Sequence, residues 1–515
     1  METMDMPVSP ADVPDCAAAA PTVEEVKAAI VHEVNALIAW VLSCKTLTFL
    51  AFETQLLPQV LALGRLFVQL FLTMREARFQ VTQAQPEPGY KRQGPNARWL
   101  GTLFGKVRYW RTYLYRDGGG YYPLDVELGL TGDGFSMLLQ SHAARIATKV
   151  SYAQTVLVLS LFLLWTPAQE SIEGFVLGLG RHTAAWFESA PAPEGDGEVL
   201  VIQIDGKATP TATEAELEKR RGKRTPNPHP GSQRHRGRAA RQQRGSKKRR
   251  RKGDKAKNGK MATIVVMYTL KKSADGTLEG PVNKKVYASY APKRHTVAIA
   301  HREAHKRGFG PESGKRIQIV TDGDNDLERY IDEFFPEAEH TIDVYHVVEY
   351  LWDAGACLYG EGSAELEEWV NRQKAALYDG RVAEVITELE HRLQQLDPRQ
   401  TGVRERLEKI REYLAKRQAK MDYRRLREED LEISSGAVEG AVNYVIAKRF
   451  DSGGMRWIKE RAEALLQLRC IEVNNDWEAF ITFVHDRLRA QAQQDHQNLS
   501  LKCSQPAPLP TYGLA

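Results

Sequence analysis

Val199-Leu200-Val201-Ile202-Gln203-Ile204-Asp205 is the stretch on which the fold of this chain turns. Six residues, apolar except for Gln203 and rich in Val and Ile, are too short for a helix and lie after a Pro/Gly-rich linker at 188–197. That pattern predicts a buried strand, covered on both faces, because no polar alternation marks a solvent side. It closes on an acid followed by Gly206. Open α/β sheets place their sites outside the carboxyl ends of such strands.

The same pattern recurs downstream. Ile317-Gln318-Ile319-Val320-Thr321 closes on Asp322, followed by Gly323. Between the two runs the spacing predicts strands at 262–270 and 285–290, paired as a hairpin through Ser273–Gly276, and a helix at 295–308 carrying His295, His301 and His305. Beyond Asp322 it predicts a helix at 327–335, a strand at 340–345 and a helix from His346. The order β-β-β-α-β-α-β-α implies an α/β fold, a mixed sheet with helices on its faces. Residues 353–432 are charged and helical without a strand signal, and read as an all-helical insertion forming a separate lobe. After it, Glu439 falls one turn into a helix opening at Ser434-Ser435-Gly436, and further helices follow at 457–472 and 477–493.

Upstream, residues 1–21 read as disordered, and 23–81 as helical with Pro58 separating two helices. After a linker at 83–97, Trp99–Tyr115 predicts a β-hairpin in which Arg98, Lys106, Arg108, Arg111 and Arg116 interleave with aromatics, ending at the Gly118-Gly119-Gly120 turn. Helices at 143–149, 152–165 and 169–179, with Ser151 and Thr166 as N-caps, are compatible with a helix-turn-helix. At about 150 residues per domain the length allows roughly three domains. The reading divides the chain into a mostly helical N-terminal region (1–95), a DNA-binding region (96–190), the first part of an α/β core (196–352), the insertion (353–432), the end of the core (433–485) and a polar tail (486–515).

A net charge of +5 hides an asymmetry. Residues 219–260 hold 19 Lys/Arg and one acid, Asp254, which leaves 52 basic and 65 acidic residues elsewhere. An acidic body thus carries one strongly basic segment, the footprint of a nucleic-acid partner. Too poor in apolar residues to fold alone, the segment should be mobile and order on phosphates. The five cysteines form no CxxC pair, so neither a zinc ribbon nor a disulfide framework is expected, and free thiols fit a reducing cytoplasm. Residues 1–20 lack the pattern of a signal peptide, and the apolar run 156–165 is too short to span a bilayer, so no membrane partner is expected.

Asp205, Asp322 and Glu439 are the three candidate catalytic carboxylates. Such a set is suited to two Mg²⁺ ions, with Mn²⁺ as a substitute, because hard cations take oxygen ligands. Asp324 is the nearby rival to Asp322, but Gly323 turns the chain between them. Several further strings carry a resemblance: Ile204-Asp-Gly-Lys207, Thr321-Asp-Gly-Asp324, Asp343-Val-Tyr-His346, Ser435-Gly-Ala-Val-Glu-Gly440, Lys448-Arg-Phe450 and Gly454-Met-Arg-Trp457. With Leu100-Gly-Thr-Leu-Phe-Gly-Lys-Val107 and Pro123-Leu-Asp125, they resemble bacterial insertion-sequence transposases of the ISKra type, over most of residues 95–485. These are DDE (Asp-Asp-Glu) enzymes with a ribonuclease H-like catalytic domain. The resemblance implies binding to double-stranded DNA at element ends and target, strand cleavage and strand transfer, a homo-oligomer at least dimeric on the ends, and a bacterial cytoplasmic, nucleoid-associated location. Related transposases often carry cysteines near the Gly118–Pro123 turn, and this chain has none there, which argues against a zinc-bearing module.

On this reading Asp205, Asp322 and Glu439 would hold the metals. Asp343 and His346 would lie close by, supporting the carboxylates or a scissile phosphate, although Asp343 could equally be a helix N-cap. Lys207 could reach a phosphate. Arg234, Arg236, Arg238, Lys247, Lys248, Arg249, Arg250 and Arg251 would follow the DNA backbone, with Lys448 and Arg449 also holding it, and Arg456 and Trp457 could clamp an unstacked base, although a plain core side chain is the more common fate of such a Trp. The alternatives are a structure-selective nuclease of the same fold, which cleaves without joining, and a noncatalytic transposase-derived DNA-binding protein.

Overall fold

A computed structural model describes residues 19–82, 89–117, 119–130, 132–218, 259–451 and 455–504. The basic segment expected to follow DNA, including Arg234 to Arg251, lies outside the described residues apart from its edges. The chain divides into two compact units, Met1–Phe175 with Ile481–Ala515, and Val176–Phe480. The boundary between them falls inside a helix, not in the Pro/Gly-rich linker at 188–197, and the expected regions 1–95 and 96–190 are largely one unit.

The first unit opens with α1 (Val23–Ser43) and α2 (Phe49–Thr82). Thr22 and Glu25 form a reciprocal cap at the start of α1. Pro58 does not separate two helices; it lies inside α2, and the break falls earlier, where Thr48 accepts a hydrogen bond from the Ala51 N–H. A proline inside a helix costs about 3 kcal/mol, and the long apolar run on either side offsets it. β1 (Lys91–Thr102), β2 (Gly105–Arg116) and β3 (Gly119–Tyr121) form an antiparallel three-stranded sheet, as the hairpin pattern predicts. Its core joins Leu100, Val107 and Tyr109 to Leu72 of α2 and Leu124 of α3 (Pro123–Leu128). α4 (Met137–Lys149) and α5 (Tyr152–Ser160) are capped by Ser136 and Ser151 and joined by a tight turn. α6 (Gln169–Gly180) follows without Thr166 as its cap.

After α7 (Thr183–Ser189), the second unit is built on a five-stranded mixed sheet. Its strands are β4 (Val199–Pro210), β5 (Gly259–Lys272), β6 (Leu278–Ser289), β7 (Arg316–Thr321) and β8 (Glu339–Ile342). The order is β6-β5-β4-β7-β8, with β4, β5 and β6 antiparallel and β4, β7 and β8 parallel. β4 is central, and Val199–Ile204 are buried in it. α8 (Glu214–Glu218) follows β4, α9 (Lys293–Lys306) links β6 to β7, and α10 (Asn325–Phe334) links β7 to β8.

α11 (Val344–Tyr359) leads into the insertion: α12 (Ala364–Tyr378), α13 (Val382–Gln395), α14 (Thr401–Arg417) and α15 (Tyr423–Glu428). As expected, it is all helical and outside the sheet. It is not a separate lobe: it belongs to the second unit, and α14 packs on α11. α16 (Gly436–Ala441) carries Glu439 and runs into a π-helical stretch, Val442–Asp451. α17 (Lys459–Val473) and α18 (Trp477–Ser504) complete the chain.

Candidate active site

β4 does not stop at Asp205. It continues to Pro210, and Asp205 sits opposite Ile264 of β5. What stops is the parallel pairing with β7, whose last rung is Gln203 with Val320. β4 and β7 part company there, and Asp322 follows the last residue of β7. The two aspartates thus flank the opening where the neighbouring strands diverge.

The helix bearing Glu439 is tied to the same place by a buried side chain. Gln203, 1% exposed on β4, donates to the Ser434 carbonyl (3.1 Å) and accepts from the Val438 N–H (3.0 Å). Gln318 on β7 acts likewise, donating to the Glu432 carbonyl (2.7 Å) and accepting from its N–H (3.0 Å). Two glutamines, each presenting a donor and an acceptor, fasten the chain just before α16 to two adjacent strands.

These elements bring the three carboxylates into one field. Burial pushes the Asp205 carboxyl above its usual range, the charges of Asp322 and Glu439 add to that, and the Gly206 N–H and His346 oppose it. Each acid also accepts a local donor. Asp205 takes the Gly206 N–H (2.6 Å), Asp322 takes the Asp324 N–H (3.0 Å), and Glu439 takes the Ser435 hydroxyl (3.1 Å). The expectation that the three lie close enough to share ions is not met as they stand: among the described residues no three His, Cys, Asp or Glu side chains are placed to hold a metal.

Asp343 and His346 both reach this neighbourhood. Asp343, buried, accepts the Ser435 hydroxyl (2.6 Å) and caps α11 through the Tyr345 N–H (3.0 Å), so the cap and the near-site position coexist. Ser435 thereby lies between Asp343 and Glu439. His346 packs edge-on against Tyr350 and contributes to the field at Asp205. Asp324 is a cap, accepting from the Asp326 and Leu327 N–H groups. Burial pushes its carboxyl up, but Lys293 (2.7 Å) and those N–H groups outweigh it and hold Asp324 below its usual range.

The chain matches no protein-family model and no curated protein. The Tyr413 hydroxyl of α14 donates to the Asp322 carbonyl (2.7 Å), and Arg417 donates to the Gly323 carbonyl (2.7 Å) while pairing with buried Glu328 (2.8 Å). Gly323 has φ +78°, and a Cβ there would meet Tyr413 Oη at 2.7 Å. The insertion thus grips the loop that carries Asp322. Helical spacing alone holds no signal of this; the signal is Gly323 beside an acid.

The more distant candidates divide. Lys207 lies 3.6 Å from Asp451, and Lys448 and Arg456 are exposed. Arg449 and Trp457 are corrected: both are buried, Trp457 Nε1 donates to the Phe450 carbonyl (3.2 Å), and the Arg449 guanidinium lies 4.8 Å from the Trp457 ring centre. Trp457 is also fastened to the end of β4 through Pro210 and Ala212. It is a core side chain. The π-helical widening after α16 shifts the side-chain phase, so that Lys448 faces solvent while Arg449 turns inward.

Proposed function

We propose that this chain is a DDE transposase with a ribonuclease H-like catalytic domain, cleaving insertion-sequence ends and joining them to target DNA. The observation that supports the reading most is that the charges of Asp322 and Glu439 both act on the Asp205 carboxyl, beside the point where β4 and β7 stop pairing. Among the largest influences on the Asp205 carboxyl, two carboxylates oppose its ionisation and His346 favours it. A concentration of negative charge of that kind repels phosphates unless a cation sits in it, so the donor set fits hard divalent ions.

Asp205, Asp322 and Glu439 would hold Mg²⁺. Two such ions would help activate the attacking hydroxyl and stabilise the departing 3′-oxygen. The chain's own groups have separable tasks. Gln203 and Gln318 aim α16. Ser435 and Asp343 orient the Glu439 carboxylate. Tyr413 and Arg417 fix the Asp322 loop. Exposed Lys448 and Arg456 would hold backbone phosphates.

The test is incubation of the full-length protein with candidate element ends, Mg²⁺ and a target plasmid. The reading expects ends joined to the target. Cleaved but unjoined DNA would mean a nuclease, and binding without cleavage a noncatalytic DNA-binding protein; either result contradicts the proposal.

A further inference from the structure

We propose that the outward faces of α1 and α2 are the surface through which two copies of this chain pair. α2 has two different faces. One is packed, with Leu72, Val68 and Phe79 on the three-stranded sheet and buried Glu76 accepting from the Thr112 N–H (2.9 Å). The other is bare. Leu50, Leu57, Val60, Phe67, Phe71 and Met74 are 75, 45, 47, 52, 45 and 45% exposed.

Their spacing is the argument. These six occupy the a and d positions of a heptad repeat, the pattern by which one helix receives another, knobs into holes. The repeat also runs through positions 53 and 64. At Gly64 a Cβ would come within 2.4 Å of Phe104, so the Phe104 ring fills that place, itself 38% exposed. On α1, Val31, Ile38 and Val41 follow the same spacing at 59, 53 and 40% exposed. Leu42, Leu47 and Phe49 carry the apolar surface around the bend between the helices.

The size of the patch calls for a protein partner. Twelve large apolar side chains on 31–74 are 38–76% exposed. Together they leave on the order of 1,000 Å² of apolar surface, against roughly 300–600 Å² for the largest patch of a typical monomer and about 800 Å² per partner in a standard interface.

Lipid fits poorly, although both helices are long and apolar enough to cross a membrane, with window hydropathies of 1.4 and 1.6. A helix in hydrocarbon is apolar all round. Here His32, Glu33 and Asn35 on α1 and Thr54 and Gln55 on α2 are exposed beside the apolar rows, and Glu53 falls on the α2 row itself. A charge at the bilayer centre costs about 2.5–3.5 kcal/mol on insertion scales. A heptad row needs a helix with the same row opposite. A second copy supplies it, because a two-fold interface joins the same patch on both subunits.

The inference does not rest on the catalytic reading, since the mass of the particle is independent of the carboxylates. The experiment is light scattering on nuclease-treated full-length protein in 0.5 M NaCl, over roughly 1–50 μM, where typical interfaces of this size are occupied. The expected mass is twice the 58.0 kDa of one chain. Leu57→Glu with Phe67→Glu and Phe71→Glu should give a monomer with unchanged circular dichroism, because these side chains are exposed. Gln55→Glu, off the apolar row, should stay dimeric. If the triple variant misfolds, Phe67→Gln with Phe71→Gln should still raise the dimer dissociation constant at least tenfold. A monomeric wild type, a dimer untouched by these substitutions, or wild type that floats with phosphatidylcholine vesicles would overturn the proposal.

Discussion

Asp205 is the residue on which the electrostatics of the core turn. Its pKa is raised in the folded state by burial first and by the charges of Asp322 and Glu439 second. The folded chain therefore holds that proton more tightly than the unfolded chain does. Stability is consequently lost as pH rises from about 3.9, the unfolded value, through the raised folded value. Two outcomes are expected for Asp205→Asn. In EDTA at pH 7 it should melt at a higher temperature than wild type, and the difference should shrink as pH falls toward 4. Its DNA cleavage should drop by more than roughly a hundredfold with DNA affinity retained, since even groups that merely support a metal ligand are worth about 10–100-fold. Asp322→Asn and Glu439→Gln should match it in cleavage. Asp324→Asn should retain substantial activity, because Asp324 is a cap paired with Lys293. Thermal melts across pH and a nicking assay check both outcomes. Asp322 follows the end of β7 and Glu439 lies in the first turn of α16, as their flanking runs predict, whereas Asp205 lies on β4 five residues before its end. The burial of Trp457 and Arg449 cannot be told from a short polar–aromatic string, and a π-helical stretch precedes Trp457.

At the scale of elements, strands 316–321 and the β5–β6 hairpin follow from their β-branched runs, and α16 begins where Ser434-Ser435-Gly436 predicts. The continuation of β4 past Asp205 was not legible, because Gly206 and Lys207 read as a turn although they pair with β5. The registration of α16 on the sheet was invisible too. Gln203 and Gln318 look like interruptions in apolar strands, and only the fold shows that they bond to 432–438. Gln203→Leu should leave the Ser434 carbonyl without that donor in a buried setting, at a cost of about 1–3 kcal/mol. Because Glu439 then loses its fixed position, kcat for cleavage should fall by roughly 10–100-fold, as for other supports of a metal ligand, while DNA affinity stays level. Chemical denaturation with single-turnover kinetics tests this. A stability loss with normal kcat would reduce Gln203 to a packing residue.

At the scale of the whole molecule, the proposed function makes the charge asymmetry the main determinant of how DNA would be met. Residues 219–260 hold 19 of the 71 Lys/Arg. Deleting that segment should weaken DNA binding and flatten the dependence of log affinity on log salt, because fewer counterions are released. The core should keep its melting temperature, since β4 and β5 are paired along their length and need only a short connection. Titration by fluorescence anisotropy across salt concentrations measures the slope; an unchanged slope would place the DNA on other residues. The two-unit division was poorly legible, because the boundary falls within a helix where composition does not change. The outward row on α1 and α2 escaped notice because its apolar residues are spaced, not consecutive.

The central claim is that Asp205, Asp322 and Glu439 form one cation-binding centre. The most direct measurement is anomalous diffraction from crystals of the full-length protein with bound DNA ends, soaked in Mn²⁺. Two Mn²⁺ peaks are expected about 3.5–4 Å apart, touching all three carboxylates in wild type and lost in Asp205→Asn. Peaks elsewhere, or none at these carboxylates, would contradict it.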